Sequence, residues 1–179
     1  ISISYNSCRN RHCPKCQGRN REDWIQTRET ELLPVPYFHV VFTLPEVLNK
    51  TALHEPKMLY DILFESAWET LQTFGKNKNL QMGMIAVLHT WGQNLSLHPH
   101  LHCIVPGGGV DENGAWKNIK NDGKFLFSVK ALSKVFRAKF CEKLKANLKD
   151  KFNENQENEY EKIRQSLWEK PWVVYAKKP

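Results

Sequence analysis

Four histidines fall within fourteen positions of the stretch HTWGQNLSLHPHLHCIVPGGG, residues 89 to 109, and no other stretch limits the chain so sharply. His98, His100 and His102 alternate with Pro99 and Leu101. Alternate side chains of a β-strand leave the same face, so His100 and His102 point one way, as two imidazoles must to share a cation. The runs MIAVLH upstream and HCIVP downstream are apolar and β-branched, which is strand composition. Between them, WGQNLSL holds Gly92 and Asn94 as turn formers. A hairpin folded about Asn94 and Leu95 sets His89 directly across from His100. Three imidazoles from two neighbouring strands then meet at one point, a site for a divalent metal with coordination positions left open. On a phosphodiester, such an ion polarises the scissile phosphate but leaves the nucleophile to a hydroxyl, a water or another side chain. His98 shares the face of the pair, and His39 lies in the strand-like run YFHVVFTL; both are candidates to support the trio from behind. His54 reads as plain surface.

The start of the chain carries a second metal pattern. Cys8, Cys13 and Cys16 in CRNRHCPKC have zinc-knuckle spacing, with Pro14 shaping a tight turn. Structural zinc takes four ligands, so either His12 completes the set or the missing ligands lie before Ile1. The alternating ISISYNS reads as the second strand of a ribbon hairpin and favours the latter. Cys103 and Cys141 read as core thiols. Five cysteines, three of them clustered, make no disulfide framework and point to a reducing, cytoplasmic setting. The formal net charge is +7, with Arg9, Arg11, Lys15, Arg19 and Arg21 crowded near the start. These are candidate nucleic-acid-contacting residues, since such a surplus suits a polyanion; a solvated basic face is the alternative. No apolar run approaches the roughly 18 residues of a membrane span, and no signal-peptide pattern opens the chain. The sequence carries no signal for an oligomeric state.

The 179 residues suffice for one sizeable core and a small appendage. We read a partial zinc-binding ribbon over 1–18, a helical connector over 19–36 ended by Pro34 and Pro36, and a main domain over 37–179. Within the latter, residues 37–44 form a strand. Residues 56–74 form a helix whose apolar stripe is Met58, Leu59, Ile62, Leu63, Trp68, Leu71 and Phe74. Gly107 to Gly109 read as a turn rather than a phosphate cradle. ENG at 112–114 turns a hairpin, and FLF at 125–127 reads as a short strand. Ser128 caps a basic helix over 129–150 with Leu132, Val135, Phe136, Phe140, Leu144 and Leu148 inward. Its lysines and arginines form either a solvated face or a DNA-facing flank. A further helix runs through Trp168, and WVVYA at 172–176 is a last strand. A chain that stops just after a strand is expected to continue.

His100-Leu101-His102 resembles the HUH motif (histidine, bulky hydrophobe, histidine) of single-strand DNA endonucleases, and His89 at this interval resembles the three-histidine version of relaxases. More specifically, YNSCRNRHCPKCQ, FHVVFTLP, LYDILFESAWETL, VLHTWGQNLSLHPHLHCIVPGGG and WVVYAKKP resemble, in order, blocks of the two-tyrosine HUH transposases of rolling-circle insertion sequences. The resemblance implies an α+β fold, a central antiparallel sheet flanked by helices, with a small N-terminal zinc ribbon. It implies Mg²⁺ or Mn²⁺ on His89, His100 and His102, Zn²⁺ on the N-terminal cysteines, and single-stranded DNA as the partner. A tyrosine would attack the DNA to leave a 5′-phosphotyrosine and a free 3′-OH, and a second tyrosine would serve a second strand. The family's paired tyrosines lie on a helix, separated by three residues. Here Tyr5, Tyr37, Tyr60, Tyr160 and Tyr175 include no such pair, so the nucleophile is expected outside this chain, which would bind metal and DNA without cleaving. Two other readings compete. HPHLHCI also resembles the histidine-triad nucleotide hydrolases, in which a histidine attacks an α-phosphate without metal. The third is a non-catalytic zinc-bearing DNA-binding module.

Overall fold

Among the described residues the first strand is YFHVVFT, where every second residue is apolar and buried. The computed structural model describes residues 14–92, 94–119, 126–148 and 154–177. The chain packs as two compact units, Ile1–Pro34 and Val35–Pro179.

The first unit contains helix α1 (Pro14–Glu31). It therefore starts inside CPKC, where a turn was expected, and five residues before the expected connector. The reason is local: proline fits the first helical turn, where its missing N–H has no partner to lose. Arg19, Arg21 and most residues after Cys16 in α1 are exposed, and only Ile25 and Arg28 are half-buried. A helix polar on all sides is held by pairs along its surface, here Arg19 with Asp23 at 4.0 Å and Arg28 with Glu31 at 2.8 Å. Cys8, Arg9, Arg11, His12, Cys13 and the expected strand over 1–7 lie outside the described residues. So do the side chains of Lys15 and Cys16.

The second unit is built on a four-stranded antiparallel sheet in the order β2-β3-β1-β6. Its strands are β1 (Tyr37–Thr43), β2 (Ile85–Trp91), β3 (Leu97–Pro106) and β6 (Val174–Lys177). One face is core. Phe38, Val40 and Phe42 of β1 and Leu101, Cys103 and Val105 of β3 are buried in one cluster with α3 (Pro56–Lys76) and α4 (Val129–Leu148). Phe42 meets Phe136 of α4 with ring centroids 4.9 Å apart. Burial pushes the Cys103 thiol up to about 12 and Cys141 up to about 11, so both behave as small apolar side chains. The other face carries Val41, Val87, Ile104 and Tyr175 in part-exposed positions. The fold is α+β, as expected, and among the described residues no helix is long and apolar enough to cross a membrane.

Several local expectations need correction. Gly108 and Gly109 are not a turn; they sit in strand β4 (Gly108–Val110), paired with β5 (Trp116–Asn118). A Cβ on Gly108 would lie 2.3 Å from the Lys117 carbonyl oxygen, and one on Gly109 would lie 2.5 Å from that of Gln81. The glycines thus allow backbones to close up rather than a chain to reverse. Leu126 and Phe127 form a bend, not a strand; both are buried, and Phe127 packs on Phe74 at 5.1 Å between ring centroids. Phe125 lies outside the described residues. Trp68 is exposed, while the small residues Ser66, Ala67 and Thr70 fill the inner side of α3. A short 3-10 turn (Glu46–Leu48) and α2 (Asn49–His54) occupy what reads as loop, and His54 is exposed there. The basic face of α4 is partly neutralised, since Lys143 meets Glu65 and Glu69 of α3 at 3.0 and 2.8 Å and Lys139 meets Glu69 at 3.6 Å. Helix α5 (Glu154–Glu169) precedes β6, and Trp172 turns inward before it, its indole donating to the Leu167 carbonyl at 2.9 Å.

Candidate metal centre

Strands β2 and β3 pair with His89 opposite His100 and Val87 opposite His102. The turn between them runs through Asn94 and Leu95, with Leu95 at φ 62°. The Asn94 side chain accepts from the Ser96 amide at 3.1 Å, and the Gly92 amide donates to the Ser96 carbonyl at 2.9 Å. That short turn fixes the register, so the histidines cannot slip to the core face without carrying Leu101 and Cys103 out of it.

The structure brings His89, His100 and His102 together: one ring nitrogen from each lies within 4.8 Å of the others. Ring centroids are 5.4 Å apart for His89 and His100, 4.4 Å for His89 and His102, and 4.9 Å for His100 and His102. The rings line an open depression of about 790 Å³ with Trp91, Gly92, Asn94, Ser96 and His98.

Two of the three rings are oriented by a hydrogen-bonding neighbour. The His100 Nδ1 lies 2.6 Å from the His98 carbonyl oxygen. A carbonyl only accepts, so Nδ1 carries the proton and Nε2 presents its lone pair. The His102 Nδ1 lies 2.7 Å from His39 Nε2, with the two rings stacked at 5.0 Å and 11°. This contact engages Nδ1, so the His102 Nε2 is left to face an ion. His39 sits on β1, beside the trio and outside it. The His98 side chain is exposed, its ring centroid 5.3 Å from that of His100, and its ring is not one of the three that converge.

Electrostatics suit a cation. Burial, then repulsion by His89, His100 and His39, holds His102 down at about 4. His89 is lowered by burial and then by His100. At neutral pH His89 and His102 are therefore uncharged, and no carboxylate is among the described residues lining the depression. Three imidazoles on one spot with no acid beside them fit a divalent ion bound with open positions. The arrangement can therefore bind metal.

Trp91 was not anticipated from the sequence. The signal was present: it stands two residues after His89 on the same strand, hence on the same face. Of the described basic candidates, Arg19 and Arg21 are exposed on α1.

Comparison with known proteins adds the family. Residues 83–179 match a family model described as "Putative transposase", and residues 1–44 match one described as "Transposase zinc-binding domain". The chain is 42% identical over 188 aligned residues to "Putative transposase y4qJ" of Sinorhizobium fredii (strain NBRC 101917 / NGR234), covering 99% of this chain and 47% of that protein. It is 39% identical over 114 residues to "Transposase for insertion sequence element IS801" of Pseudomonas savastanoi pv. phaseolicola, covering 64% of this chain and 28% of that one. The chain thus spans about half the length of the first relative and less of the second. A structure of TrwC complexed with a 27-mer DNA aligns over 60% of this chain and 44% of its own at 14% identity and a TM-score of 0.47. That likeness is too shallow to speak to chemistry.

Proposed function

This chain belongs to the transposase family whose model spans residues 83–179, and from that premise we propose that it is the metal- and DNA-holding part of a rolling-circle transposase of the HUH kind. The observation that carries the reading is the meeting of His89, His100 and His102 across two paired strands. These three residues would hold the ion, Mg²⁺ or Mn²⁺, and its chemistry there would be polarisation of the scissile phosphate of a single DNA strand. The protein's own part is positional. The His98 carbonyl and the His39 ring keep the ligand rings turned to the ion. The part-exposed outward face of β1, β2, β3 and β6 receives the strand.

The tyrosine that forms a 5′-phosphotyrosine in the whole protein lies elsewhere. Of the tyrosines whose side chains are described, Tyr37, Tyr60 and Tyr175 belong to β1, α3 and β6, and none lines the histidine depression. Cys8, Cys13 and Cys16 would bind Zn²⁺ at the start of the chain, where helix α1 begins at Pro14, and Arg9, Arg11, Lys15, Arg19 and Arg21 add affinity for phosphates. That share of the binding weakens steeply with salt.

Calorimetric titration with Mn²⁺ tests the site. The parent chain should bind at the histidines, and His100→Ala and His102→Ala should each abolish that binding while circular dichroism is unchanged. Equal Mn²⁺ affinity in parent and His100→Ala would overturn the assignment. Incubation of the chain with single-stranded DNA and Mn²⁺ should yield no covalent adduct; an adduct would place the nucleophile within residues 1–179.

A further inference from the structure

Trp91 lines the depression beside the imidazoles and is not one of the converging ligands. Its side chain ends β2 and is 54% exposed. Its ring lies parallel to that of His89, with centroids 6.0 Å apart. The ladder is irregular at this point: His89 pairs with His100, but Trp91 pairs with Leu97, so β3 carries one more residue than β2 across the step. Pro99 falls inside the irregularity. Proline has no N–H to give a ladder and in such strands is confined to edges and bulges. A bulge re-aims the side chains beside it, and here it leaves a large indole open to water beside the trio.

The rest of the lining says what could use that ring. Among its described residues there is no lysine, arginine, aspartate or glutamate. Besides hydrogen bonds from Asn94, Ser96 and His98, a nucleic acid in this depression therefore draws on an ion on the imidazoles for a phosphate and an aromatic face for a base. Every base has a π-face, so stacking tolerates any sequence, but it requires the base to be unpaired.

We propose that Trp91 is a stacking platform for the unpaired nucleobase that flanks the phosphate held at the histidine trio. The inference rests on the single-strand reading above. It adds a binding subsite and a reason for single-strand preference that the metal alone does not supply, because an ion meets the phosphates of duplex and single strand alike.

The test is fluorescence anisotropy of the 179-residue chain with Mn²⁺ present, using two labelled probes of equal length. One is oligothymidine; the other is an abasic oligonucleotide, with the same phosphates and no bases. Trp91→Ala should weaken oligothymidine binding about 5- to 150-fold, the range seen when one base–aromatic stack is removed. Binding of the abasic probe should not change, and Trp91→Phe should recover most of the loss. The Mn²⁺ affinity and melting temperature of Trp91→Ala should match the parent, since the side chain is more than half exposed. Loss of the same factor on both probes, or no loss on either, would overturn the stacking role while leaving the DNA reading intact. Failure of the parent chain to bind oligothymidine at all would bring down the DNA reading and this inference with it.

Discussion

The two sides of β3 do opposite work over the same few residues. Pro99, Leu101, Cys103 and Val105 are buried on one side, and His98, His100, His102 and Ile104 are partly or well exposed on the other. The buried side resists change because a tightly packed interior has no slack. The histidine side resists protonation, since burial and then neighbouring imidazoles disfavour the charged forms of His102 and His89. One side thus stabilises the strand in place, and that stability holds the imidazoles of the other side together. The period of two along a strand makes this division possible: adjacent residues sit on different faces with nearly independent consequences.

The comparison breaks most visibly at Leu101. This residue is fully buried between His100 and His102 in sequence. Leu101→Ala should cost about 2–5 kcal/mol, read as a lower midpoint in urea. His100→Ala, one residue away, should shift stability by less than about 1 kcal/mol, as changes away from packed sites usually do, while removing Mn²⁺ binding. The added ion separates the two further. At a hundred-fold excess over Kd, Mn²⁺ should stabilise the parent by about 2.7 kcal/mol, visible as a raised Tm, and should leave His100→Ala unmoved. A His100→Ala chain as destabilised as Leu101→Ala would mean the faces are not separable.

A pH titration of the metal-free chain sharpens the comparison at intermediate size. His102 titrates at about 4 in the fold against an ordinary 6.5. Between those values the unfolded chain takes up a proton that the folded chain refuses, so stability falls as pH drops from about 6.5 toward 4, and the histidine contributes no slope above that window. In His102→Ala the slope from this residue should vanish, and denaturant melts at pH 7 and pH 5 should lie closer together than in the parent. An unchanged gap would show that the imidazole is not the source. Zn²⁺ or Mn²⁺ should be absent for this measurement, because metal and protons compete for the same lone pairs.

How much of this was legible beforehand follows from the same division. The hairpin over 84–106 could be read because its signals are local: alternation fixes faces, and a short turn fixes register. The observed pairing of His89 with His100 is the one the turn at Asn94 and Leu95 implies. Gly108 and Gly109 were misread because a glycine run signals backbone freedom, whereas here it answers a crowd of distant atoms, the carbonyls of Lys117 and Gln81. Lys139 and Lys143 invited a DNA-facing reading because their partners Glu65 and Glu69 are about seventy residues away in sequence and meet them only when α3 packs on α4. The role of the His98 carbonyl was invisible for a related reason, since residue identity reports side chains and the contact is made by backbone. Trp91 was overlooked though its face was predictable; what the strand pattern lacks is the bulge that leaves it open.

The smallest effect is expected at Ile104, and it tests whether the outward face acts through its imidazoles or as a whole. Ile104 stands two residues past His102, is 42% exposed, and lies in register between His39 and Ile85. Ile104→Thr keeps the branching that suits a strand and places a hydroxyl where water reaches. It should change stability by less than about 1 kcal/mol and leave Mn²⁺ affinity within error of the parent, because it orients no ligand ring. If calorimetry instead shows metal affinity falling with Ile104→Thr while circular dichroism is intact, then His39 depends on its strand neighbour to face His102. The functional side of β3 would extend one residue pair beyond the histidines, and the boundary between its packing and its chemistry would have to be redrawn at the β1–β3 ladder.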